Sequence, residues 1–175
     1  MTAEATTIDT DLLQPPALGA YWPGQGGTYC GTQPAMHGLP ERHLIFATAD
    51  APERLTWGEY GTKVPGTDNR LDGRANTAAL LAHVAQGKSH PAAEWAAAYT
   101  ADGHTDFHLP SQADLFMASL ACPHQFNQDS WYWSSTQSGR NDAFVQDFED
   151  GDSNWHFKDN DFLVRPVRWI PTSAL

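Results

Sequence analysis

The 175-residue sequence predicts an α+β protein with helices in the middle and an antiparallel β-meander at the C-terminus. Three observations carry this expectation. Aromatic residues interleaved with glycine open the globular part. Three segments between about 72 and 121 then show helical periodicity with capping residues. From Trp131 onward, short aromatic or β-branched runs alternate with turn-forming clusters.

Residues 1–17 are polar, Thr/Asp-rich and end in Pro15-Pro16, the pattern of a flexible arm or linker; a single domain is expected over 18–175. "GAYWPGQGGTYCG" places Tyr21, Trp22 and Tyr29 among five glycines, which predicts short strands joined by tight turns. "HLIFATA" (43–49) is an apolar strand, and 50–71 reads as loops. A first helix is expected from about Gly73 to Gln86, with Asp72 as N-cap and Gly87 just past its end. A second has Pro91 in its first turn and an apolar stripe of Ala92, Trp95, Ala96 and Tyr99, which predicts Trp95 and Tyr99 in the core. The third, in "LPSQADLFMASL", is capped by Ser111 with Asp114 three residues on, a shortened capping box. "WYWSST", "AFVQDF", "NWHFK" and "FLVRPVR" then form the strands of the terminal meander.

The formal charge is −11, from 21 acids against 10 bases, whereas a phosphate-neutralising surface needs clustered Lys and Arg; direct nucleic-acid binding is not expected. No apolar stretch approaches the length of a spanning helix, and no basic segment followed by an apolar run marks a signal peptide. Membrane insertion is therefore not expected, and the location read from the sequence is cytoplasmic or virion-associated. Cys30 and Cys122 stand in no metal-ligand spacing and could form at most one bridge; two buried free thiols are the simpler expectation.

Signals for chemistry are sparse. The acids of "FEDGDSN" invite a calcium loop, but Trp155 follows Asn154 and no later Glu exists, while Asp150-Gly151 between strand-like runs signals a tight hairpin. His104, Asp106 and His108 alternate as a two-histidine, one-carboxylate metal site would on a strand, although Asp106 could equally cap backbone amides. Ser134, Ser135 and Thr136 lack a local base and are expected to hydrogen-bond within the sheet. No cofactor is expected.

"YWSST" (132–136), "AF" and "FEDG" (143–144, 148–151) and "VRPVR" (164–168) together resemble the C-terminal signature of the Lcl C-terminal domain family, and "LPS" (109–111) resembles its helix start. "GAYWPGQGG", "HLIFAT", "DGRANTAALL" and "HPAAEWAAAYTADGHTDF" further resemble a subgroup from tailed, transposable phages and their prophages. The resemblance implies a C-type-lectin-like fold and ligand binding without catalysis. Some similar proteins are variable targets of diversity-generating retroelements, whose C-terminal segment is mutated at adenines. AAY template codons could yield Arg140, Asn141, Asp142, Asp147, Asp152, Asn154, His156, Asn160 and Asp161. They could not yield Gln146, Glu149, Trp155 or Lys158, which would be fixed positions or signs that this copy is not diversified. Calcium-site signatures of sugar-binding C-type lectins are missing, and the cysteines match no catalytic pair of the formylglycine-generating enzymes that share the fold.

The expected function is non-enzymatic recognition of a protein or glycan through hairpins and loops at about 137–163. The expected ligand-binding residues are Arg140, Asn141, Asp142, Asp147, Glu149, Asp152, Asn154, Trp155, His156, Lys158, Asn160 and Asp161. Phe144, Phe148, Trp155 and Phe157 should divide between core and aromatic anchors. The alternatives are a cytosolic phage interaction or counter-defence protein with an acidic surface, and a formylglycine-type or metal-dependent enzyme. The oligomeric state stays open.

Overall fold

The computed structural model describes residues 14–175; the expected arm over 1–17 therefore lies mostly outside the described residues. The fold is mixed α+β, with three helices and antiparallel sheets. Strands β1 (Tyr21–Trp22), β2 (Gly27–Gln33) and β3 (Arg42–Phe46) form a meander. It is completed by β9 (Val167–Pro171), which pairs antiparallel with β3 from Arg42↔Pro171 to Phe46↔Val167. The chain's last strand thus closes its first sheet. At Gly27 a Cβ would lie 2.2 Å from the Phe46 carbonyl oxygen, so β2 approaches β3 there as only glycine permits.

Helix α1 spans Gly73–Val84, and the Asp72 side chain accepts from the Ala75 N–H. Helix α2 spans Pro91–Ala98, and α3 spans Gln112–Ala121 behind a complete capping box of Ser111 and Asp114. Ala92 and Ala96 are fully buried, but Trp95 and Tyr99 are only partly so. Trp95 packs against the core cluster of Trp57 and Leu80, whereas Tyr99 lies just past the end of α2, where its extended backbone sets the ring 4.8 Å from Phe107.

A second sheet has the order β5 (Tyr132–Gln137), β6 (Asp142–Gln146), β7 (Ser153–Phe157). Between 50 and 71, read from sequence as loops alone, β4 (Leu55–Thr56) pairs with β8 (Asp161–Phe162). "FLVRPVR" is accordingly not one strand: Phe162 belongs to β8 and Val167 begins β9 in a different sheet. Pro166, which has no N–H to offer a ladder, lies between them.

Among the described residues, two large apolar clusters fill the interior beside a smaller one of Trp22, Tyr29 and Ile45. One joins Trp57, Val64, Leu80 and the α2 alanines to Trp133 and Val145; the other joins Leu44, Phe46, Leu115, Tyr132 and Phe148. Cys30 and Cys122, expected as free thiols, are a disulfide with Cα atoms 5.9 Å apart. Strand β2 runs against the end of α3 and brings together residues 92 apart in the chain, a proximity that spacing alone does not encode. Among the described residues no helix is long and apolar enough to cross a membrane.

Candidate functional site

Residues paired across β6 and β7 share a face of the sheet. Phe144 with Trp155 and Asp142 with Phe157 lie on one side, and Ala143 with His156 and Val145 with Asn154 on the other. Strand β7 is an edge of this sheet, with no strand paired to its outer side among the described residues. The Asn154 side chain accepts the Trp155 N–H at 2.8 Å, which takes up one of the edge donors another strand could use.

The expected binding residues do not converge on one point. Arg140, Asn141, Asp142, Asn160 and Asp161 cluster where the β5–β6 turn meets the β7–β8 turn. Asp147, Glu149 and Asp152 occupy the opposite tip, about 17 Å away along five strand residues. Asn154, Trp155 and His156 lie between them on β7. Of this set Arg140, Glu149, Asp152, Asn154 and Asp161 are exposed. His156 is half-buried between Trp131 and Phe162, with ring centroids at 5.4 and 5.2 Å.

Lys158 needs correction, because it is fully buried. Its ammonium donates to the carbonyl oxygens of Thr62 (2.8 Å) and Gly139 (3.0 Å) and to Gln137 Oε1 (2.8 Å), and sits 4.4 Å from the centre of the Trp57 ring. Burial pulls its pKa down to about 8 against the pull of Asp142. Lys158 is thus a clamp beneath the turn that carries Arg140, whose Nε donates to the Gly61 carbonyl at 3.0 Å.

At the other tip, the acidic loop is a hairpin closed by the Asp147 N–H on the Asp152 carbonyl at 2.8 Å, with Gly151 at φ +84°. Six residues separate the strands, more than a two-residue turn, and the Asp carboxylates turn inward: Asp147 accepts from the Glu149 N–H and Asp150 from the Asp152 N–H. The carbonyls of Asp147, Gly151 and Asp152 all lie within 3.0 Å of Gln146 Nε2. A buried amide sits where a cation would need those oxygens.

The four phenylalanine and tryptophan positions differ in burial. Phe144 and Phe148 are buried, Phe148 stacking on Phe126 at 3.9 Å, while Trp155 is half-buried and Phe157 is 53% exposed. Two neighbours escaped the sequence reading. Exposed Tyr60 meets Phe157 edge-on at 5.6 Å, and the Arg70 guanidinium lies 5.8 Å from the Trp155 ring centre. Both come from the irregular stretch before α1, where no periodicity marks which residues return to the edge.

His104, Asp106 and His108 are not gathered as ligands. His104 Nε2 bonds the Gly24 carbonyl at 2.8 Å, Asp106 accepts from Arg168 at 2.7 Å, and burial pushes His108 down to about 4. Among the described residues no group of three or more His, Cys, Asp or Glu is placed to hold a metal ion. Ser135 and Thr136, expected to bond within the sheet, instead donate to the Pro110 and Asn69 carbonyls, and Thr136 accepts the Gln112 N–H. They tie the irregular middle of β5 to the start of α3. In comparisons with known proteins, no family model matches the chain and no curated protein matches it.

Proposed function

We propose that the protein is a non-enzymatic recognition domain with a C-type-lectin-like arrangement, binding a protein or glycan along β7 and the two turns that flank it. The pairing of the last strand with the first sheet, and the smaller sheet inserted before it, support that arrangement. The observation that carries the binding reading is the contrast between exposed groups and their supports. Tyr60, Phe157 and the polar tips are exposed, while Lys158 and Gln146 hold the backbone beneath them through buried hydrogen bonds. Rigid loops lose little entropy on binding, and exposed rings supply contact area.

The disulfide favours a ligand outside the cell over a cytosolic partner, because such bridges persist in oxidising surroundings. Labelled protein incubated with whole bacterial cells tests the proposal. Binding is expected, and it should fall at least tenfold in Tyr60→Ala/Phe157→Ala and in Asp152→Ala/Asn154→Ala, with melting temperatures near the parent's. Capture of a basic cytosolic protein from lysate without any cell binding would instead establish the counter-defence reading.

A further inference from the structure

Among the described residues, β7 is paired on one side only. The Asp147 N–H donates to the Asp152 carbonyl at 2.8 Å and the Lys158 N–H to the Asn141 carbonyl at 2.9 Å, so bonded pairs bracket the β6–β7 ladder at both ends. Bonded and non-bonded pairs alternate in an antiparallel ladder. The register runs unbroken from Asp142↔Phe157 to Gln146↔Ser153. The backbone groups of Asn154 and His156 therefore point at β6, and those of Ser153, Trp155 and Phe157 point outward.

Two of the outward groups are taken. The Asn154 side chain accepts the Trp155 N–H, and the Phe157 carbonyl accepts the Asn160 N–H at 2.9 Å. The Ser153 N–H and carbonyl, the Trp155 carbonyl and the Phe157 N–H have no protein partner among the described residues. Edges are ordinarily blunted by proline, a bulge or lysine. Residues 153–157 contain no proline and no lysine, and their pairing with β6 has no register shift, whereas that of β5 with β6 does. What fits a row of outward donors and acceptors is the backbone of another strand.

We propose that β7 takes an extended, basic peptide of the recognised partner as the next strand of this sheet. The inference rests on the reading of β7 as a recognition edge and narrows its ligand from protein or glycan to protein. Charge selects the peptide. Asp147, Glu149, Asp150 and Asp152 crowd one end of β7, with no base among residues 147–152. At the other end Asp142, Asp159 and Asp161 outnumber Arg140, since Lys158 is buried. Pairing two copies of β7 in either direction sets acid beside acid, which disfavours a second copy and matches a peptide with Lys or Arg toward both ends. On the Trp155 and Phe157 face its middle residues lie beside the exposed Phe157 and Tyr60 rings, which calls for apolar side chains there.

The probe is a synthetic, end-capped peptide of alternating threonine and valine with lysine at each end, added to the isotope-labelled full chain. It should slow hydrogen exchange of the Phe157 amide by about tenfold or more, and a version with glutamate at each end should bind about tenfold more weakly. Ser153→Pro removes an outward N–H but no ladder bond, at a strand's first residue where proline is tolerated. It should weaken the lysine peptide by about tenfold with a melting temperature near the parent's. Failure of the lysine peptide to slow Phe157 exchange would overturn the proposal. So would a Phe157 amide already protected in a dimer of the free chain, which would assign the edge to a second copy. Whole-cell binding that is lost in Tyr60→Ala/Phe157→Ala yet kept in Ser153→Pro would refute strand pairing and leave the recognition reading standing.

Discussion

A lysine with no exposed surface and three acceptors around its ammonium is held by geometry rather than by a counter-ion. Lys158→Met would keep much of the volume but leave the Thr62 and Gly139 carbonyls and Gln137 Oε1 without their donor. A loss of about 2–4 kcal/mol is expected in urea denaturation at pH 7. The pH dependence has a definite sign. Burial disfavours the charged form, so the folded pKa near 8 lies below the ordinary 10.5, and between these values the unfolded chain binds more protons. Stability from this group therefore rises with pH across that window, and the difference between parent and Lys158→Met should widen between pH 8 and 10. Sequence could not disclose this residue's role. A lysine in a polar turn is exposed in most proteins, and two of its three partners are loop carbonyls that any residue type supplies.

At the scale of elements, the acidic hairpin was legible in its turn residues and in the strands beside it, whereas its length and its support were not. Gln146 stands at an alternating strand position like any polar residue, yet its buried amide gathers three loop carbonyls. Gln146→Leu should cost about 1–3 kcal/mol and speed hydrogen exchange of residues 147–152, while Phe148 stays in the core. Adding calcium to the parent protein should leave its melting temperature unchanged; a calcium-dependent rise would contradict the role given to the amide. The helices were read most completely, because Asp72, Pro91 and the Ser111–Asp114 box act within one turn of chain. Ser111→Ala removes one half of that box and should lower stability by about 1 kcal/mol in the same assay. Apolar residues occur on more than one side of α3, and only the packed structure tells that Leu115 and Ala118 meet the core while Phe116 and Leu120 stay exposed.

Across the whole molecule, closure depends on contacts between residues far apart in the chain, and these left the faintest trace in sequence. Strand β9 pairs with β3 across more than a hundred residues, and the disulfide fastens β2 to the end of α3 on the same side of the interior. Both cysteines are fully buried, a state that free thiols and bridged cysteines share, so composition could not separate the two outcomes. A bridge across 92 residues restricts the unfolded chain strongly. Cys30→Ala/Cys122→Ala should therefore lose about 2–5 kcal/mol in urea denaturation, and reduction of the parent protein should reproduce most of that loss. Because the bridge joins β2 to the end of α3 and not to β7, the same substitutions should leave cell binding intact at temperatures where the variant is folded. A variant that is folded yet no longer binds would show that the two halves of the molecule are coupled, and would move the recognition surface toward α3.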